Sequence, residues 1–488
     1  MASETGVNST KLPTNAPKTA FFWICLLFVL AIAPPARAAT NHPNIILILL
    51  DDAGYADFFH TGHPTVRTPT VSRLVNEGLN FTQFYAQPAC TASRYALLTG
   101  RNPRRSGLGT WVLDPTAMKF IHPNEVTIAQ GLKAQGYATG MFGKWHLGES
   151  NAANTNNPNA LPLAHGFDVY FGTSVSHDYA TGCYLLDSPN TNAPQYVVPG
   201  YQVLGTNQTA DTTLTAKYVD RSVSFIQTNS NHPFFLYLAF NMPHLSLNPG
   251  VAFAGTSPAG KLGDVLEEID NGLNRIVSTL TNLGIATNTL VILTSDNGPW
   301  VVKYTTSERL DAGYAGPFRD GKGSTWEGGV RELGCMWWPG TIAPGSVQRL
   351  PASTMDILPT VFGLAGQPLP TGRTLDGRDL RPYLNSTLWT NTVPDFTYIY
   401  AGGVNYTTLY GARKGSWKLH TTIYSQTGNN YGYNNVTWNN PILFNVELDP
   451  GERLNQAATQ TAKVAELKTL INNFSNSVAV EGTFWGPP

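Results

Sequence analysis

The 488-residue chain reads as an α/β protein: a large, mostly parallel, doubly wound sheet flanked by helices, then a small C-terminal antiparallel α+β subdomain. Three observations predict this. Apolar runs such as "NIILILL" (44–50) lack the alternation of a half-exposed strand and suit strands covered on both faces. Helical and strand patterns alternate along most of the chain, as βαβ units require. From about Asp395 the texture changes to short strands and turns closed by one amphipathic helix.

The N-terminal segment is an address. Lys11 and Lys18 precede the apolar run "FFWICLLFVLAIA", and Ala36-Arg37-Ala38 has the small-x-small pattern of a cleavage site. The run is short for a membrane span, so residues 1–38 are expected to be a signal peptide cut after about Ala38, with an uncleaved signal anchor as the alternative. Either way the chain enters the secretory pathway, to be secreted or to reach an extracellular, lysosome-like or periplasmic compartment. N-x-S/T sequons at Asn207, Asn385, Asn405, Asn435 and Asn473 agree with export and glycosylation, with Asn80 a weaker one.

The body then divides into a domain over residues 42–394 and a subdomain over 395–488. "PNIILILLDDAGYAD" is a buried strand ending in Asp51-Asp52. "TPTVSRLVNEGLNFTQFYA" is a helix and a strand broken at Gly78, and "NEVTIAQGLKAQGYATGMFGKWHLG" repeats the plan, closing on Lys144 and His146. "HPFFLYLAFNMPH" is an aromatic-rich strand ending at His244. "GDVLEEIDNGLNRIVSTLTNLGIATNTLVILTSDNG" is a long helix and a strand ending at Asp296-Asn297. Open α/β sheets bind ligands beyond the carboxyl ends of their strands. Four strands with polar endings therefore imply one shared crevice.

Charge excludes some functions. Charged residues make up 13% and the net charge is −1, which gives no footprint for nucleic acid and no electrostatic docking on membranes. Cysteine usage is odd for an exported chain. Cys25 leaves with the signal peptide, so Cys90, Cys183 and Cys335 remain and one thiol lacks a partner. Cys183 and Cys335 pairing, or three buried inert thiols, both stay open, and Cys90 is the candidate for a special fate.

Asp51, Asp52, Asp296 and the amide of Asn297 are hard oxygen ligands from two strand ends. Either pair alone is an ordinary cap or turn. Together they favour a dication, Ca²⁺ or Mg²⁺ rather than Zn²⁺. Lys144 and His146, two apart, share a strand face, while Lys322 sits among glycines that permit close approach of a ligand. With Arg94 and His244 these form a basic set suited to a tetrahedral oxyanion beside a metal.

"CTASRYALLTGR" resembles the signature of the type I sulfatases, formylglycine-dependent members of the alkaline-phosphatase-like superfamily. Further landmarks follow in the family's order: "GKWHLG", "HGFDVYFG", "SDNG", "GKGSTWEGGVRE", "WPG", "GSWKL" and "FNVELDPGE". "VSHDYATGC" and "GKGSTWEGGVRE" look most like the arylsulfatase A branch. The resemblance implies a sulfuric ester hydrolase, with Cys90 oxidised to formylglycine (3-oxoalanine) by a formylglycine-generating enzyme. It implies Asp51, Asp52, Asp296, Asn297 and modified Cys90 as Ca²⁺ ligands, ahead of Mg²⁺. Arg94 would orient the aldehyde, and Lys144, His146, Ser176, His244 and Lys322 would serve as sulfate-binding and acid/base residues.

The implied mechanism uses the hydrated aldehyde, a gem-diol. One oxygen, activated by the metal and Asp296, attacks sulfur while Lys144 and Lys322 neutralise sulfate oxygens. His244, with Lys322, assists the leaving alcohol, and His146 deprotonates the second hydroxyl, which expels sulfate. Ala92 departs from the commonest pattern, which has proline there, and bears on how fully position 90 is converted. Substrates are expected among sulfated small molecules or carbohydrates, with no stable membrane partner and homo-oligomerisation left open. The alternatives are a phosphonate or phosphate ester hydrolase of the same superfamily and an inactive binding protein on the same fold. Specificity is expected in loops 151–162, 176–202 and 301–318.

Overall fold

The computed structural model describes residues 42–107, 112–117, 119–149, 157–188, 200–301, 312–385, 394–402, 408–425 and 436–482. The expected signal peptide, Asn405, Asn435 and stretches of all three crevice loops lie outside them.

Strand β1 (Asn44–Leu50) shows why an unbroken apolar run forms here. Ile45, Leu47 and Leu49 join one hydrophobic layer with Leu97, Ile128 and Val361, whereas Ile46, Ile48 and Leu50 join the other with Val71, Leu262 and Val265. With both faces covered, polar alternation would only place unpaired polar groups in a core.

The main sheet continues with β2 (Leu79–Tyr85), β3 (Ala138–Gly143), β4 (Val169–Thr173), β5 (Leu185–Ser188), β6 (Gln202–Gly205), β7 (Phe234–Ala239), β8 (Thr289–Ser295), β9 (Arg331–Trp337), β10 (Ser346–Gln348) and β11 (Ala352–Ser353). Among the described residues these form one 11-stranded sheet in the order β10-β2-β9-β8-β1-β7-β3-β4-β5-β6, with β11 also on β2. β8, β1, β7, β3 and β4 are mutually parallel. The strand read after Gly78, β2, is parallel to this group but separated from it by β9, which runs antiparallel between β8 and β2. β5 and β6 extend the far edge antiparallel, so the sheet is mixed.

Helices α1 (Pro69–Glu77), α2 (Cys90–Thr99), α3 (Ile128–Ala134), α4 (Leu214–Asn229), α5 (Gly260–Asn282), the single turn α6 (Glu327–Val330), α7 (Ile357–Ala365) and α8 (Arg381–Leu384) follow in chain order. α1, α4 and α5 build one hydrophobic layer, and α2, α3 and α7 build the opposite one. The doubly wound expectation is met.

Strands β12 (Thr397–Gly402), β13 (Thr408–Lys414), β14 (Trp417–Ile423) and β15 (Val436–Asn445) form a separate 4-stranded antiparallel sheet, followed by α9 (Thr461–Glu481). Ile399, Ala412, Leu419 and Leu443 pack under Leu467, Leu470 and Phe474 of α9. Each fully buried side chain of this kind contributes about 1.5–3 kcal/mol. Elsewhere on the sheet, Tyr398 and Tyr400 pack against Tyr85, Ala96 and Val330 of the main body.

Cys90, Cys183 and Cys335 are all buried and unpaired, so no Cys183–Cys335 bridge forms. Of the sequons, Asn207 and Asn473 are exposed, while Asn80 and Asn385 are half-buried. No helix among the described residues is long and apolar enough to cross a membrane.

Candidate active site

Four adjacent parallel strands deliver the expected residues to one rim. Asp51 and Asp52 leave β1, and the Asp296 N–H bonds Leu50 O at 2.9 Å, so Asp296-Asn297 lies alongside. Lys144 leaves β3 with its N–H on Ala239 O at 2.8 Å, and His244 follows β7. Gly143 makes this approach feasible: a Cβ there would come within 1.7 Å of Ala239 O, and its φ is 119°. Asp52 and His146 are left-handed without being glycine (φ 65° and 58°), a conformation that clusters at functional sites.

Cys90 opens α2, with Ala89 extended before it. Its Sγ lies 3.4 Å from Asp51 Oδ1 and 4.0 Å from Asp52 Oδ1, fully buried. Burial pushes the Cys90 thiol well up, and Lys144 and Lys322 only partly oppose it. The unmodified thiol is therefore a neutral, poor nucleophile. Ala92 packs with Ala89, Leu113 and Ala401.

Three cations face three carboxylates around this sulfur. Lys144 Nζ meets Asp51 Oδ2 at 2.5 Å, Lys322 Nζ meets Asp52 Oδ1 at 2.8 Å, and Arg94 Nη2 meets Asp296 Oδ2 at 2.8 Å. Arg94 Nη1 also donates to Lys144 O at 2.7 Å. Burial works against the charge of Asp51, yet Lys144, His244, Arg94 and Lys322 hold its carboxyl well below the usual range. Asp296 is pushed up to about 7 by burial and by Asp51, with Arg94 opposing.

Ser176 takes a hydrogen bond from Lys144 Nζ at 3.2 Å. His244 bonds Leu245 O through Nδ1 at 2.5 Å, leaving Nε2 3.7 Å from Asp52 Oδ2. His146 bonds Leu113 O through Nε2 at 2.8 Å, and its buried Nδ1 has no hydrogen-bond partner. Burial, Lys144 and Arg94 drive the His146 pKa well below its ordinary value, so the ring is neutral.

The donor set fits a divalent cation. Asp51, Asp52, Cys90 and His244 offer ligand atoms all within 4.8 Å of one another. Asn297 Nδ2 donates to Asp52 Oδ1 at 2.8 Å, while its buried Oδ1 has no partner. Exchanging the two ends of that amide turns an oxygen toward the carboxylates. Asp296 is engaged by Arg94 and by the Asp52 N–H, which reaches its Oδ1 at 3.1 Å. Hard oxygens of this kind suit Ca²⁺ or Mg²⁺.

All the expected residues thus converge. The reading of the sequence missed two supports. Leu113 orients His146 through its carbonyl, which leaves no side-chain signature. Asp178 lies close by, and although burial raises its carboxyl, His244, Ser176 and Lys144 bring it below the ordinary range. It lies two residues after Ser176, inside the "VSHDYATGC" landmark, but was not singled out there.

Comparison with known proteins agrees with this geometry. A family model described as Sulfatase matches residues 43–367. Arylsulfatase A of Bos taurus is 38% identical over 440 residues, covering 86% of this chain and 84% of that protein. N-acetylgalactosamine-6-sulfatase of Sus scrofa is 36% identical over 487 residues, covering 92% and 88%. Among solved structures, the PsFucS1 sulfatase from Pseudoalteromonas sp. superposes with a TM-score of 0.77 at 27% identity, covering 90% of this chain and 91% of that one. Matching motifs, fold and relatives aligned over most of their length agree: the chain belongs to the sulfatase family of sulfuric ester hydrolases.

Proposed function

We propose that the protein hydrolyses a sulfate monoester of a small molecule or carbohydrate to its alcohol or phenol and sulfate. Cys90 is converted to formylglycine during maturation by a formylglycine-generating enzyme, and Asp51, Asp52, Asp296, Asn297 and position 90 hold Ca²⁺. The observation that carries this reading is the set of three carboxylates and three cations around Cys90 Sγ at one strand rim. Bound Ca²⁺ supplies positive charge for the sulfate oxygens, and hydrated formylglycine supplies an oxygen nucleophile with a second hydroxyl beside it.

The chain's own residues do the rest. Lys144 and Lys322 bind sulfate oxygens and stabilise the charge that grows there. Ser176 holds the Lys144 ammonium, and Arg94 fixes Asp296 against the Lys144 backbone. Asp296 accepts a proton from the attacking oxygen. His244, its Nδ1–H committed to Leu245 O, carries a proton at Nε2 to the leaving oxygen. His146, its Nε2–H committed to Leu113 O, offers the Nδ1 lone pair as the base for the second hydroxyl. Residues 42–394 are read as the catalytic domain and 395–488 as the C-terminal subdomain.

The test is to assay aryl sulfate against aryl phosphate and phosphonate, with mass spectrometry of the Cys90 peptide on the same active preparation. Expected are a sulfate preference and an aldehyde at position 90. Active enzyme carrying only unmodified thiol would overturn the nucleophile. A phosphoester preference would overturn the substrate class.

A further inference from the structure

The "FNVELDPGE" segment matches a family landmark, but no chemistry has been attached to it. Its last residue, Glu452, is fully buried with φ 52° on the turn after β15. Its Oε2 accepts the Glu327 N–H at 2.6 Å, where α6 begins. Its Oε1 accepts from His420 Nε2 at 2.7 Å and faces Lys418 Nζ at 3.2 Å.

Those two β14 residues continue to the same loop. With its proton on Nε2, His420 accepts the Thr325 hydroxyl at Nδ1, 3.2 Å away, and Lys418 Nζ donates to Glu327 Oε1 at 2.8 Å. Arg319, at the other end of the loop, donates to Glu452 O at 3.3 Å and lies over the Trp326 ring at 3.9 Å. Residues 325 and 327 are thus held from one buried carboxylate and its partners, and residue 319 from the main-chain oxygen of the same Glu452, with Lys322 between them.

The packing between this clamp and the crevice leaves no slack. A Cβ on Gly328 would lie 2.3 Å from Asp320 O, and one on Gly298 would lie 1.9 Å from Gly328 O. The Gly298 N–H also bonds Gly329 O at 3.1 Å, and Gly298 follows Asn297 directly. A shift at Glu327 is therefore passed to Lys322 and to the Asn297 turn. An apolar contact would hold the subdomain as firmly. A carboxylate making several directed bonds fixes orientation as well as proximity.

We propose that Glu452, supplied by the C-terminal subdomain, is a positioning residue that sets Lys322 against the sulfate. This rests on the reading of Lys322 as a sulfate-binding group. The function of the subdomain is then to aim a lysine of the catalytic domain.

The test is a double-mutant cycle with an aryl sulfate, reading kcat and KM for wild type, Lys322→Ala, Glu452→Gln, Glu452→Ala and the combined Glu452→Gln/Lys322→Ala. Misplacement of a reacting group by about 1 Å costs about 100-fold. Glu452→Ala is expected to lose about 100-fold and the isosteric Glu452→Gln about 10-fold, in the same kinetic parameter that Lys322→Ala lowers. In the Lys322→Ala background, Glu452→Gln should add less than about 2-fold. Should Glu452→Ala not be recovered folded, Glu452→Gln reads the same cycle.

Leu467→Ala, in the core beneath α9, is the control: it should lower the melting midpoint and leave kcat per folded enzyme unchanged. Wild-type kinetics in Glu452→Gln, effects that multiply with Lys322→Ala, or an equal kcat loss in Leu467→Ala would each overturn the positioning role. Absence of sulfatase activity in the wild type would instead overturn the function on which it rests.

Discussion

Replacing Arg94 by methionine tests the charge balance of the crevice. Arg94 is fully buried, donates to Asp296 at 2.8 Å and to Lys144 O at 2.7 Å, and lies 3.7 Å from Asp51 Oδ2. Opposite charges about 4 Å apart at an effective permittivity near 20 attract by about 4 kcal/mol. Breaking a buried pair by removing one partner costs about 3–5 kcal/mol, the same size.

Protonation offers an escape from part of that cost. Asp296 already sits at about 7 through burial and Asp51, and Arg94 restrains it from rising further. Without Arg94 it should climb by about 1–3 units. At about pH 5.5 both proteins hold it neutral, and the loss shrinks toward that of the two hydrogen bonds and the longer pairing with Asp51, about 2 kcal/mol. At about pH 8 wild-type Asp296 has given up a proton that the variant keeps, and the gap of about one unit between that pH and the wild-type value adds about 1.4 kcal/mol to the loss. Urea unfolding midpoints in the presence of a chelator, taken at both pH values, read this directly. Equal losses at the two pH values, or no loss at the higher one, would refute the reasoning.

Two other perturbations address separate features. His146→Ala should allow one equivalent of alcohol to leave in a burst and then slow turnover by about 10²–10⁴-fold; loss of the burst itself would contradict its assignment to the later step. Asp57 is buried, accepts the Gly54 and Tyr314 N–H groups, and is pushed by burial up to about 7. Because this folded value exceeds the unfolded one, the native state binds the extra proton between about pH 4 and 7, and stability falls as pH rises through that window. The fall attributable to this group is about 4 kcal/mol. Asp57→Asn should remove that part of the slope in urea titrations, and an unchanged slope would show that the group does not titrate there.

Much of this was legible because strand ends announce themselves. An Ile/Leu run that stops at Asp51-Asp52 marks both a covered strand and its carboxyl end, and the same holds for β8 and Asp296-Asn297. Four such endings implied one crevice, and β8, β1, β7 and β3 are indeed adjacent and parallel. Strand direction was less legible. β9 is as buried as its neighbours, and nothing in "RELGCMW" states that it runs opposite to them. Supports acting through backbone carbonyls, such as Leu113 for His146, leave no trace in residue identity. The bond from Glu452 to Glu327 spans 125 positions, and local pattern cannot register such a partner.

The burial of Cys90 imposes a chronology. Its Sγ is sealed beneath three carboxylates and three cations, and the neighbouring Thr91, Ala92 and Ser93 are buried with it. A second enzyme cannot reach this stretch once α2 has docked, so the proposed oxidation belongs to the nascent or unfolded chain. Conversion then competes with folding, and the share of active molecules is decided before the native state exists. Chain that folds first stays a thiol protein, and later exposure of the finished molecule to the modifying enzyme does not recover it.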